Sequence, residues 1–144
     1  MRGQLDIDFV LLWVDGADPK WQHEFLRYRK QKDHTNTDTS KYRDWGTLRY
    51  LFRGIETFTP WVRKIHFVTW GHLPEWLDTS HSKLHIVNHK DFIDRSFLPL
   101  FSPNPLEIFM HNIKGLSEKF VYLNDDTFFV RPILPERFFK QNLQ

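Results

Sequence analysis

Cysteine is absent from the 144 residues, and glycine (6) and methionine (2) are scarce. Without thiols the chain has no disulfides and no thiolate metal site, so any metal must be held by oxygen or imidazole. An excess of one charge is also missing. Twenty basic side chains face eighteen acidic ones, the net charge is +2, and no block of like charges stands out, so there is no electrostatic case for nucleic acid as a partner. No apolar run approaches the roughly 20 residues needed to span a bilayer. The opening "MRGQLDIDFV" lacks the apolar stretch and small-residue cleavage site of a signal peptide. The expectation is a cytoplasmic chain without a transmembrane segment, with peripheral attachment at the membrane face left open. Internal repeats and low-complexity tracts are absent too.

What is present is enough apolar material, 40% with 17% aromatic, to build the core of one domain of this length. "LDIDFVLLWV" (5–14) is a continuous apolar run rich in strand formers, and it stops at Asp15 and Gly16. It reads as a buried strand. Asp18 followed by Pro19 is an N-cap and first-turn pair, and Trp21, Phe25 and Tyr28 then recur at helical spacing. Residues 31–41 are polar and without period, and read as a loop. A second helix is expected from near Asp44 to Pro60, with Leu48, Leu51, Phe52, Ile55 and Phe58 on one face. Further strands are expected at 64–70, 84–89 and 119–123. Between them lie a short helical piece at "LPEWL" and a helix over "SPNPLEIFMHNI" (102–113). Alternating strands and helices predict the α/β class, a mostly parallel sheet flanked by helices.

In open sheets of that kind ligands collect beyond the carboxyl ends of the strands, where both "WVDGADP" and "LNDD" fall. Two readings of Asn124, Asp125 and Asp126 stay level on spacing alone. Asn and Asp are turn residues, but adjacent carboxylates at a strand end also supply hard oxygen ligands for Mg²⁺ or Mn²⁺ bridging a diphosphate. The following "TFFV" reads as another strand-like run. Asp15 and Gly16 lie where loop amides and a helix start suit a phosphate. Trp13 is either a base-stacking platform or a core residue. Glu107 and His111, four apart on the expected helix, share a face, although Asn104, Pro105 and Glu107 also fit a capping box. His111 is the best catalytic candidate among eight histidines. Arg43, Arg49 and Arg53 are candidate phosphate clamps, and a helix's wet face explains the last two equally well.

Taken together, "DIDFVLLWVDGADPKW", "YRDWGTLRYLFRGIETFTPWVRKIHFVTWGHLPEWL" and "LPLFSPNPLEIFMHNIKGLSEKFVYLNDDTFFVRPI" resemble the Stealth family of sugar-phosphate transferases. Residues 6–21 resemble its conserved region one and residues 41–134 its conserved region two. The resemblance implies a glycosyltransferase-A-like, Rossmann-like core within a single unit over 1–144. It implies transfer of a sugar-1-phosphate from a nucleotide-diphosphate sugar to a glycan hydroxyl, with release of a nucleoside monophosphate, in capsular or exopolysaccharide synthesis. Asp126, Asp125 and His111 are then the catalytic candidates. Trp13, Asp15, Gly16, Arg43, Asp44, Arg49, Glu107 and Asn124 are the substrate-binding ones, and Asp125 and Asp126 the ligands of Mg²⁺ or Mn²⁺. Trp45, Trp70 and Pro105 depart from residues common in the family, which puts sugar or acceptor choice in question. The family's later regions three and four have no counterpart before Gln144, so a complementing C-terminal chain or a homo-oligomer enters as a possible partner. The alternatives are a metal-dependent glycosyltransferase releasing nucleoside diphosphate, and a truncated, non-catalytic binder of nucleotide sugars.

Overall fold

A computed structural model describes residues 6–32 and 39–140; most of the loop expected over 31–41 lies outside them. Five apolar residues and Asp8 form β1 (Ile7–Leu12), all but the last residue buried. The chain then turns at Asp18, whose carboxylate accepts from the backbone N–H groups of Lys20 (2.7 Å) and Trp21 (3.1 Å). That cap and Pro19 start α1 (Pro19–Gln31), which buries Trp21 and Phe25. Helix α2 (Leu48–Phe58) begins later than the sequence pattern suggests. Asp44 Oδ1 accepts from Gly46 N in a local turn, and Gly46 sits at φ 69°, outside the helical region. Strands β2 (Ile65–Thr69), β3 (Leu84–Asn88) and β4 (Lys119–Leu123) follow, with α3 (Pro103–Phe109) between the last two.

The four strands make one sheet in the order β3-β2-β1-β4, parallel throughout. This is the α/β architecture expected, with the strand order of a Rossmann-like core. The order reverses between β1 and β4, and a crevice opens at such a reversal beyond the strand ends. Ile7, Phe9 and Leu11 of β1 point to one face and pack with Leu51 and Ile55 of α2. Val10 points to the other, packing with Val68, Val87 and Leu106 of α3. Coverage of both faces explains why the strands are continuously apolar rather than alternating. Among the described residues no helix is long and apolar enough to cross a membrane.

Three local expectations are corrected. "LPEWL" makes a single turn, closed by Leu77 N to Pro74 O (3.1 Å), because so short a segment forms too few bonds to propagate a helix. "TFFV" adds no strand. It crosses back over α2, where Phe129 stacks on Phe9 (5.7 Å, 9°) and Trp61 Nε1 donates to Ile133 O (2.7 Å). Helix α3 starts two residues earlier than the capping-box reading, with Ser102 at the cap and Pro103 in the first turn. Glu107 is therefore not a capping residue.

Under the opposite, amino-terminal end of the sheet, Asp8 is fully buried. Its carboxylate accepts from Arg63 Nε (2.9 Å) and Nη2 (2.6 Å), and from Ser117 N (2.9 Å). His66 Nε2 lies 2.9 Å from Asp8 Oδ2, and His66 Nδ1 lies 2.8 Å from His85 Nδ1. With Nε2–H donating to the carboxylate, neutral His66 offers Nδ1 as the acceptor for His85 Nδ1–H. One chain of hydrogen bonds thus joins β1, β2 and β3 to the segment entering β4.

Candidate active site

The crevice at the β1/β4 reversal is a cavity of about 450 Å³. Its floor is the end of β1, Leu12 to Val14, and its acidic wall is Asn124, Asp125 and Asp126 just after β4. Glu107 of α3 and Tyr122 of β4 add to that wall. Lys41, Tyr42, Arg43, Asp44 and Trp45 close the other side. Nearness to Asp126 and Asp44 shows in the acidity of Asp125. Desolvation by surrounding atoms, the Asp126 charge and then the Asp44 charge raise its carboxyl above the ordinary aspartate value. The Tyr122 hydroxyl is likewise pushed up, first by burial and then by its hydrogen bond to Glu107 and the nearby acids. Acids and the two cations Lys41 and Arg43 thus line the same cavity.

The loop after β1 is pinned from behind. Asp15 N donates to His72 Nε2 (2.8 Å), and His72 Nδ1 lies 3.0 Å from Asp18 Oδ2. An amide donating into Nε2 makes it the acceptor, so the imidazole proton sits on Nδ1 and is given to Asp18. Burial alone would raise the Asp18 carboxyl, but the N–H groups of Trp21 and Lys20 and the His72 ring outweigh it, and the net direction is down. Gly16 packs against the Tyr42 segment, donating to Tyr42 O (3.2 Å), and a Cβ there would lie 2.3 Å from that oxygen. Tyr42 in turn donates its hydroxyl to Phe101 O. Gly16→Ala should therefore push the basic segment away from the strand ends and cost about 1–3 kcal/mol. Thermal unfolding checks this, and an unchanged midpoint would mean the close approach is not kept in solution.

The structure brings together in the cavity lining Trp13, Arg43, Asp44, Glu107, Asn124, Asp125 and Asp126. Others of the sequence candidates lie elsewhere. Arg49 and Arg53 line a different cavity of about 540 Å³, beside Phe52, Ile65 and Trp76, and Arg49 covers the Trp76 ring at 5.7 Å. Asp15 and Gly16 shape the loop without lining the 450 Å³ cavity. His111 is exposed and spends Nδ1 on Ile108 O (2.9 Å). Helix α3 ends at Phe109 and a tighter 3₁₀ turn, Met110–Asn112, follows, so the four-residue spacing does not align His111 with Glu107. Trp13 is 5% exposed and stacked on Phe67 (5.7 Å); its ring belongs to the core while the residue also lines the cavity.

Sequence reasoning singled out His111 among the eight histidines and missed His72 and His89. Both follow a strand end, at the "TWGH" and "VNH" boundaries, and that placement was the available signal. Lys41 was missed because it borders the unpatterned loop.

A family profile described as Stealth protein CR2, conserved region 2, matches residues 41–144, and one described as Stealth protein CR1, conserved region 1, matches residues 5–33. The chain is 45% identical over 139 residues to the receptor polysaccharide phosphotransferase WefC of Streptococcus oralis, covering 94% of this chain and 42% of that protein. It is 46% identical over 139 residues to the capsular polysaccharide phosphotransferase WcwK of Streptococcus pneumoniae, covering 96% and 42%. To the exopolysaccharide phosphotransferase cps2G of Lactiplantibacillus plantarum it is 40% identical over 140 residues, covering 97% and 41%. The chain thus spans about two-fifths of the length of each of these three relatives.

Proposed function

Since the chain belongs to the Stealth family, we propose that it forms the donor-binding and acidic part of a phosphotransferase of capsular or exopolysaccharide synthesis. The reaction moves a sugar-1-phosphate from a nucleotide-diphosphate sugar to a hydroxyl of a glycan and releases a nucleoside monophosphate. The observation that carries this reading is the meeting of Asp125 and Asp126 with Lys41 and Arg43 in one cavity at the strand-order reversal.

The acids suit a hard cation. Among the described residues no group of three or more acids and histidines could hold a metal alone. Mg²⁺ or Mn²⁺ is commonly bound through one or two carboxylates, with water and substrate phosphate completing its ligands. Asp126, with the Asn124 amide beside it, would hold the cation. When bound, that ion would neutralise the bridging and leaving oxygens of the diphosphate. Arg43 and Lys41, in the same cavity, would meet the remaining phosphate charge. Asp125 is the proton acceptor in this scheme. Its raised pKa makes it a better base than an ordinary aspartate. The acceptor oxygen forms a bond to the phosphorus next to the sugar, and the bond from that phosphorus to the bridging oxygen breaks. The hydroxyl proton passes to Asp125 Oδ, and the electron pair leaves with the nucleoside monophosphate.

Product analysis tests the reading. The chain is incubated with nucleotide sugar, Mg²⁺ and glycan acceptor, alone and with a polypeptide carrying the remaining length of a relative. Nucleoside monophosphate and a phosphodiester in the glycan are expected. Nucleoside diphosphate would establish glycosyl transfer instead. Donor binding without any product in either mixture would leave a nucleotide-sugar binder.

A further inference from the structure

Two buried polar atoms, on residues that line this cavity, have no hydrogen-bond partner among the described residues: Trp13 Nε1 and His89 Nδ1. Both residues line its wall, and both are more than nine-tenths buried, at 5% and 4% exposure. Leaving such an atom unpaired costs about 1–3 kcal/mol, so two in one cavity are a feature that folding alone does not explain. His89 opens the 3₁₀ turn His89–Asp91 immediately after β3. The strand order β3-β2-β1-β4 puts the ends of β3 and β4 three strand spacings apart, about 14 Å. That distance takes His89 well away from the diphosphate expected at Asp125 and Asp126, toward one end of an extended donor.

We infer that His89 and Trp13 form a specificity element that hydrogen-bonds a neutral, carbonyl- or hydroxyl-bearing end of the donor, its nucleobase or its sugar. The inference rests on the donor-binding function proposed above. An indole N–H requires an acceptor, and an imidazole Nδ1 can give or take a proton to match the ligand. A phosphate is the poorer fit. Burial, and then the nearby His72, depress the His89 pKa from 6.5 to about 4, so the ring is uncharged at neutral pH and offers no cation to an anion. Both atoms are closed to water in the free protein, so the ligand has to part the wall side chains over them, and binding pairs atoms that were unpaired. A site built to hydrogen-bond a substrate group discriminates strongly against analogues lacking it.

Calorimetry on the full chain with Mg²⁺ decides this, using uridine, cytidine, guanosine and adenosine monophosphates, hexose 1-phosphates and inorganic pyrophosphate as probes. His89→Phe keeps a flat ring and removes the polar atom. It should weaken binding of the preferred monophosphate or sugar phosphate at least tenfold, leave pyrophosphate binding unchanged, and leave the ligand-free unfolding midpoint unchanged or higher. The arm that weakens identifies nucleobase or sugar as the group held. His89→Asn, with an amide near the position of Nδ1, should recover part of the lost affinity. Equal binding of all probes by wild type and His89→Phe would overturn the inference and leave the proposed function standing. Equal weakening of pyrophosphate would overturn it as well, by making His89 a phosphate residue. A wild-type chain that binds none of the probes would overturn both.

Discussion

Asp126→Asn is expected to lower nucleoside monophosphate release about a thousandfold, roughly 4 kcal/mol of transition-state stabilisation, with no loss of folded protein. Asp126 is exposed, so the unfolding midpoint of the variant should stay within a few degrees of wild type. The substitution has a second readout. The Asp126 charge helps to raise the Asp125 carboxyl, so removing it should lower the Asp125 pKa toward the ordinary aspartate value, measurable by carboxyl NMR titration. Mg²⁺-dependent binding of a nucleoside diphosphate should weaken in parallel. Turnover within tenfold of wild type would remove Asp126 from the reaction. A collapsed midpoint would show that the acidic pair is a structural turn, the other reading that its spacing permits.

The sheet and the acidic strand end were legible because both depend on local pattern. β4 appears at the residues expected, and β1 to β3 fall within two residues of the expected ends, since a strand buried on both faces leaves an unbroken apolar run. The Asp18–Pro19 cap is equally local, and Asp18 binds the two amides that such a cap should. What failed depended on distant contacts. "TFFV" has strand composition, but Phe129 is drawn across the sheet by Phe9 and by the close approach that Gly54 permits, where a Cβ would be 3.0 Å from Phe129 O. His111 met the spacing rule for a helix that ends before reaching it. Glu107 could be explained as a cap from sequence, while its partner, Tyr122, lies on another element. The histidines show the same limit. His66, His72 and His89 differ only in what the fold places around them, and no periodicity separates them from His111.

That histidine chemistry also sets how the protein should respond to acid. Burial depresses the His66 pKa, only partly offset by Asp8, and takes His89 to about 4. Both rings resist protonation in the folded state and accept it near 6.5 when unfolded, so their contribution is full above pH 6.5 and is lost as pH falls below that value. His89 accounts for about 3 kcal/mol of the loss by pH 4. For Asp8, burial pushes the carboxyl up, but hydrogen bonds from His66, Ser117 N and Arg63 outweigh it and the net direction is down. Its contribution is present above the unfolded value of 3.8 and disappears as pH drops through the folded value. Removing Asp8 should therefore act at every pH above that point. Asp8→Ala strands the Ser117 amide and His66 Nε2–H in a buried site, and breaking such a network by deleting one partner costs about 3–5 kcal/mol. Arg63 is 36% exposed in its side chain and can turn to water, which places the cost at the lower end of that range. Asp8→Asn keeps an acceptor and should cost less. Urea unfolding between pH 3 and 8 tests both parts. The wild type should lose stability steadily below pH 6.5, while Asp8→Ala starts lower and shows a smaller final fall below the aspartate value, where Asp18 still contributes. A cost under about 1 kcal/mol at pH 7 would mean that the carboxylate does not hold the sheet's amino-terminal end together.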